Sequence, residues 1–297
     1  MQVAQSKENA KNSLMTKALF VSDLHGRISW YDKLFRAIES EKPKLVLLGG
    51  DLFPHAMLSS AQYPDFIKDY LQPKFQSLKS SLKEQYPKVM LIMGNDDPKA
   101  LEIDLIPAGL DTLWEYIHYK KVIYSNHAIV GYSYVPPTPF QLKDWERYDV
   151  SRFVDPGCIS PEEGMHTIQT DPDILRYETI QKDLTRLFEH EDMAKIVCLF
   201  HSPPYKTNLD RAALDGQMVD HAPLDVHVGS IAMKRFIEQK QPKITLHGHV
   251  HEASRITGQW QEKIGETYAF SAAYEGPELA IVKFDLDHPE LAERLLL

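Results

Sequence analysis

Residues 17–26 read KALFVSDLHG: an apolar run, Ala18 to Val21, followed at once by Asp23 and His25. A short unbroken apolar run without polar alternation marks a strand buried on both faces, as in a parallel sheet covered by helices. Four further runs have the same form. KLVLLGGD (44–51) ends at Asp51, KVMLIMGND (88–96) at Asn95, KIVCLFH (195–201) at His201, and ITLHGHVH (244–251) at His249 and His251. Helical spacing fills the intervals. Trp30, Leu34, Phe35, Ala37 and Ile38 follow Ser29 as N-cap and precede Pro43, while residues 64–85, 174–190 and 229–240 are helical in composition, with Pro73 interrupting or kinking the first of them. Strand and helix alternate, so the predicted fold class is α/β.

Outside these runs, HAIVGYSYV (127–135) reads as a strand, and TYAFSA (267–272) with ELAIVKFDL (279–287) reads as a closing antiparallel pair. Residues 1–16 are expected to be a flexible tail, 17–287 a single domain and 288–297 a C-terminal tail. Two long connections, 136–172 and 202–228, are expected to form a cap near the site, because long stretches without regular structure inside a compact domain usually serve function. No internal repeat or low-complexity tract interrupts the chain. With 297 residues, 43% of them hydrophobic and 25% charged, the composition excludes disorder and collagen-like repetition. The net charge of −9 opposes attraction to a polyphosphate backbone, so nucleic acid is a poor partner. The two cysteines lack the spacing of a thiolate metal site, the N-terminus has no apolar signal region, and no apolar run is long enough to span a bilayer. A cytoplasmic protein with no membrane partner is predicted.

Loops that follow parallel strands gather at one edge of the sheet, so five ligand-bearing strand ends predict one site. Singly, each is weak: Gly94-Asn95-Asp96 alone reads as a turn. Together, Asp23, His25, Asp51, Asn95, His201, His249 and His251 make a metal-ligating set. Imidazoles with carboxylates favour Mn, Fe, Zn, Ni or Co over Ca or Mg. Seven side chains exceed what one ion with an open position needs, and suit two divalent ions about 3.5–4 Å apart that share a bridging carboxylate. Asp23 and Asp51 cancel two of the four positive charges, and the remainder attracts a phosphate.

The motifs SDLHG (22–26), LGGDL (48–52), GND (94–96), FHSPP (200–204) and GHVH (248–251) resemble those of the calcineurin-like metallophosphoesterases, over about residues 17–285. VPPTPFQLKDWE (135–146) and HVGSIAMKRFI (227–237) are similar to a bacterial and archaeal subgroup described as predicted phosphoesterases related to cyclic-nucleotide phosphodiesterases. The resemblance implies a four-layer sandwich of two mixed β-sheets flanked by helices, with the metals at the sheets' carboxyl edge. It implies that Asp23, His25 and His251 hold the first metal and Asn95, His201 and His249 the second, with Asp51 bridging them.

One departure bears on mechanism. Many family members place a His after the metal-binding Asn, where it contacts phosphate and helps protonate the leaving group, but here Asp96 and Asp97 follow. Nearby cations lower a carboxyl pKa by about 1–3 units, so Asp96 reads as orienting a ligand or binding water rather than as the acid. It is kept with Asp51, Asn95 and His201 in the catalytic set. The other usual acidic position is Pro54, followed by His55, read as an exposed loop residue or a supporting one. Either His221 or His227 replaces the acid, or the substrate leaves as a low-pKa group, which is simpler. Losing a general acid forfeits ~10²–10⁴ in rate, least with a good leaving group. The expected activity is therefore hydrolysis of phosphodiester or pyrophosphate bonds in small phosphorylated substrates, nucleotides among them, by in-line attack of hydroxide held between the metals. A catalytically silent scaffold, a phosphomonoesterase and a nuclease are the alternatives. Lys143, Arg147 and Arg152 read as a solvated charged face or a phosphate grip, Tyr205 as stacking or packing, and His247 as a hydrogen-bonded core residue. His118, His166, His190 and His288 are assigned no role.

Overall fold

In the computed structural model, which describes residues 16–55, 63–110, 112–189 and 191–297, the five apolar runs become the central strands of two sheets. In chain order the strands are β1 (Lys17–Val21), β2 (Leu45–Gly49), β3 (Lys88–Ile92), β4 (Glu115–Tyr116), β5 (Lys120–Tyr124), β6 (His127–Tyr132), β7 (Ile196–Phe200), the hairpin β8 (Met218–Val219) and β9 (Ala222–Pro223), β10 (Ile244–His247), β11 (Gln261–Ile264), β12 (Thr267–Ser271), β13 (Ala280–Asp285) and β14 (Glu293–Leu296). The first sheet has the order β14-β13-β1-β2-β3-β4, and the second β11-β12-β10-β7-β6-β5. In the first, β1 to β4 are parallel and β13 runs antiparallel to β1 and β14. In the second, β12, β10, β7 and β6 are parallel, with β11 and β5 antiparallel at the edges.

The apolar runs are unbroken because both faces of each strand are covered. Phe20, Leu47, Ile92, Leu199, Leu246 and Phe270 belong to one cluster between the sheets, where Phe270 of the second meets Phe284 of the first at a ring separation of 5.8 Å. Their neighbours along the strands, Leu19, Val46, Leu91 and Cys198, belong to the cluster that includes the helices. Helix α1 (Ile28–Glu41) buries Trp30, Tyr31, Leu34, Phe35, Ala37 and Ile38 there. Helix α2 (Gln72–Leu82) buries Phe75 and Leu78, and a short helix, α3 (Glu102–Gly109), follows β3. On the second sheet, α4 (Pro172–Tyr177), α5 (Ile180–Leu187) and α6 (Ile231–Lys240) precede the last short helix, α7 (Ala253–Thr257), and Phe236 of α6 packs on Phe200 of β7. The result is two mixed six-stranded sheets between helices, the four-layer arrangement that the resemblance implies.

The structure differs from several sequence expectations. TYAFSA and ELAIVKFDL do not pair: β12 lies beside β10 and β11, whereas β13 lies beside β1 and β14, in the other sheet. Residues 293–296, expected within a C-terminal tail, form the edge strand β14. The 64–85 segment is a π-helical turn, Phe66–Leu71, that runs directly into α2, and Pro73, which has no N–H to donate, sits where the π turn gives way to α-helix. The 174–190 segment is two helices, because Thr179 adopts extended backbone and caps α5 by accepting from the Lys182 N–H. The expected N-terminal tail, apart from Thr16, and His190 lie outside the described residues. Among the described residues no helix is long and apolar enough to cross a membrane.

Candidate metal centre

The ends of β1, β2, β3, β7 and β10 bring all seven predicted side chains to one edge, four from the first sheet and three from the second. Main-chain bonds tie the loops together: Asp23 N–H donates to Gly50 O (2.9 Å), His25 N–H to Asp51 O (2.8 Å) and Gly248 N–H to His201 O (2.9 Å). Asp23, His25, Asp51 and His249 all have left-handed backbone, with φ of 58°, 44°, 52° and 72°. Such a conformation costs a non-glycine residue about 1–3 kcal/mol, and it persists where surrounding structure over-determines it, as at functional sites. The loops also cross too closely for side chains at two positions. A methyl on Gly94 would overlap Asp51 Oδ1 and one on Gly248 would overlap Ser22 Oγ.

Asp23, His25 and His251 offer ligand atoms within 4.8 Å of one another, as do Asp51, His201 and His249, and also His25, Asp51 and Asp96. The His201 Nδ1–H donates to Gly49 O (2.8 Å), which leaves Nε2 to face Asn95 Oδ1 (3.0 Å) and Asp51 Oδ2 (3.2 Å). His25 Nε2 and His251 Nε2 face each other at 3.3 Å, and His251 Nε2 lies 3.2 Å from Asp23 Oδ1. Asp23 Oδ2 is buried without a hydrogen-bond partner. Lone-pair atoms facing one another need a proton or a cation between them, so this donor set, with its orphaned carboxylate oxygen, fits divalent metal ions. Asn95 Nδ2 donates to Asp96 Oδ1 (3.1 Å), which turns the amide oxygen toward His201, and the Asp96 N–H donates to Asp51 Oδ1 (2.8 Å).

The electrostatics are those of a tightly packed ionic cluster. Burial opposes charge on His201, but Asp51 and Asp23 push its pKa up to about 10. His251 behaves alike, burial outweighed by Asp23 and Asp51, at about 9. Burial would raise the Asp23 carboxyl, yet His251, His201 and His25 hold it well below the usual range. For His249, burial and neighbouring His201 push the pKa down to about 4. Burial and Asp51 raise that of Asp96.

Sequence reasoning missed Asp97. Its fully buried carboxylate accepts from the N–H groups of Leu52 (2.9 Å), Phe53 (2.9 Å) and Gly94 (2.9 Å), and so fixes the Asp51 loop against the Asn95 loop. The only sequence signal was a second Asp directly after a ligand motif. Among the other residues singled out, some expectations change and others, those for Arg152 and His247, hold. Lys143, read as surface charge or phosphate grip, is wholly buried and paired with Glu146 (2.5 Å), and Arg147 pairs with buried Asp183 while its guanidinium lies 4.0 Å over the Tyr134 ring. Arg152 is exposed and bound to Glu162. His247 is a buried core residue, its Nδ1–H donating to Ser202 O (2.8 Å) and its Nε2 accepting from Thr245 Oγ1 (2.8 Å). His118, given no role, accepts from the Ser133 N–H inside a cage that includes Tyr134 and Trp145. Exposed His55 and His221 line neither cavity described next, while His227 lies in the larger one and contacts Asp210 (2.8 Å).

A cavity of about 390 Å³ lies over the ligand cluster, lined by Asp51, Asn95, Asp96, His249 and His251 and rimmed by Glu252, Arg255 and Glu275. A family model, "Calcineurin-like phosphoesterase", matches residues 16–253, most of the chain and the whole of this ligand set. The chain belongs to the calcineurin-like phosphoesterase family. These phosphoesterases are hydrolases that depend on two metals, and the present chain carries the Asp and His groups to hold them. Among solved structures, TT1561 of Thermus thermophilus is 14% identical with a TM-score of 0.54, the match covering 95% of this chain and 99% of that one, a likeness of fold. A dimetal phosphatase from Danio rerio (10% identity, TM-score 0.47, 95% and 98% covered) and an archaeal phosphodiesterase (9%, 0.43, 95% and 99%) also align with this phosphoesterase. No curated protein matches it.

Proposed function

We propose that this protein hydrolyses phosphodiesters at a dinuclear centre held by Asp23, His25, Asp51, Asn95, His201, His249 and His251, with Asp51 between the two groups. The reading is carried by the acidity of the cavity over the ligands. Apart from the proposed ligands, three carboxylates line it, from Asp96, Glu252 and Glu275, against one cation, Arg255, whose Nε is held by Glu275 at 2.6 Å. Such a rim repels a dianionic monoester more than a monoanionic diester, and repels a pyrophosphate more again. The absence of a His at position 96 favours the same substrates, since a good leaving group departs without a proton.

The metals would supply positive charge that lowers the pKa of water and offsets charge growing on the phosphoryl oxygens. The protein's own part is arrangement. Gly49 O fixes the His201 tautomer, Asp96 turns the Asn95 amide, and Asp97 locks the two loops that present Asp51 and Asn95. Asp96, beside His25 Nδ1 (3.6 Å), serves as an orienting residue in this reading.

A panel of aryl phosphodiesters, alkyl and aryl monoesters, pyrophosphates and single-stranded DNA, run with Mn, Fe, Zn, Ni and Co, tests the proposal. Aryl diesters are expected to react fastest; alkyl monoesters reacting as fast would overturn it. Asp51→Asn is expected to weaken both metal sites and lower activity by at least ~10²-fold. Activity surviving with full metal occupancy would remove Asp51 as the bridge.

A further inference from the structure

A second cavity, of about 680 Å³, lies between the two long connections and shares Phe140, His249 and Glu252 with the cavity over the ligands. Its size is that of an ordinary small-ligand pocket, ~300–1,000 Å³. The first connection contributes Pro136, Val150 and Phe153 to its wall, and the second contributes Leu214, Leu224 and Val228. Among the described residues no Lys or Arg lines it.

Of the four carboxylates in its wall, three are committed to the chain itself, and the fourth is Asp155. Asp149 accepts from Ser230 Oγ (2.6 Å) and the Ile231 N–H (2.6 Å) at the start of α6. Asp225 accepts from the Tyr205 hydroxyl (2.5 Å) and the His227 N–H (2.9 Å), and Glu252 from the Ala213 N–H (3.1 Å). A second phosphate placed here would be stripped of water against acidic groups, with no cation to compensate. An apolar group would instead replace water along most of the wall, at roughly 25 cal/mol for each Å² buried.

We infer that this cavity is a subsite for an uncharged, apolar ester group of the substrate, an alkyl chain or aryl ring joined through phosphate to the neighbouring centre. The inference rests on the phosphodiesterase reading for what the centre does, and adds what the cap selects. Phe140, 54% exposed and present in both cavities, stands at the junction that the ester oxygen would cross. It follows that nucleoside polyphosphates are excluded by charge rather than by size.

The test is calorimetric titration of the manganese-loaded full chain with dimethyl-, butyl(methyl)- and methyl(octyl)phosphinate, monoanions with two P–C bonds that no esterase cleaves. Affinity is expected to rise at least tenfold from methyl to octyl. Leu224→Asp is expected to flatten the series, and Leu224→Met to restore it with unchanged metal content. A flat series in the unsubstituted protein, or phosphocholine binding more tightly than the octyl compound, would overturn the subsite. Because no turnover is needed, a chain-length effect without hydrolysis of aryl diesters would sink the phosphodiesterase reading and leave the subsite standing, and hydrolysis without a chain-length effect would do the reverse.

Discussion

Asp97 shows how much of this site is held by a residue that need touch neither metal nor substrate. Its carboxylate is the common acceptor for main-chain donors from two loops, and burial together with Asp51 raises its pKa to about 8, against the pull of those N–H groups. Asp97→Asn keeps the shape but puts an NH2 group where one of the two accepting oxygens stands. We expect a loss of about 2–4 kcal/mol in urea unfolding and a ~10- to 100-fold loss of metal affinity; unchanged values on both counts would reduce Asp97 to a spectator. His247 gives a pH signature. Burial lowers its pKa from 6.5 to about 4, so its contribution is fully present above pH 6.5 and is lost as the pH falls toward 4, where the unfolded chain has already taken up a proton. His247→Asn is expected to remove about 2 kcal/mol of the stability difference between pH 7 and pH 5, measured by denaturant midpoints at the two values. At this scale the gathering of the seven candidate side chains at one edge was legible because each follows an apolar run. Lys143 and Arg147 were not, because a single sequence shows a charge but not the burial of its partner, and Asp183 lies far from Arg147 along the chain.

The elements follow the same logic. Buried parallel strands announce themselves as unbroken apolar runs, and all five that carry ligands were legible. Edge strands do not: KKVIY in β5, QEKI in β11 and ERLL in β14 are exposed or half-buried for most of their length and carry charges that blunt an open edge. The pairing of β12 with β13 was misread because two apolar strands separated by a segment containing Gly276-Pro277 look like a hairpin, whereas here the connection passes from one sheet to the other. Where the sheets meet at their carboxyl edge, Gly248 lets the last ligand loop lie against Ser22 and Asp23. Gly248→Ala is expected to push those loops apart, costing about 1–3 kcal/mol from overpacking and most of the metal content. Metal analysis of the purified variant checks this, and full occupancy would show that the crossing tolerates a methyl group.

For the whole molecule, a ligand cluster drawn from both sheets means that metal binding and tertiary stability are linked. At a free manganese concentration 100 times the dissociation constant, a single site adds about 2.7 kcal/mol, worth roughly 5 °C in a domain of this size. Removal of metal with a chelator is expected to lower Tm by that order, and graded return of manganese to restore it; a melting curve indifferent to verified loading would contradict the proposed sites. The order of these elements along the chain carries a further consequence. The strand β1 is flanked by β2 on one side and by β13, residues 280–285, on the other, and the candidate ligands run from Asp23 to His251. During synthesis, then, one edge of the first strand stays open until residues 280–285 emerge from the ribosome. A nascent chain not yet extended to His251 lacks part of the candidate chelating group, so metallation at the proposed centre would come late in synthesis, and a chain cut before Ala280 leaves a sticky strand edge.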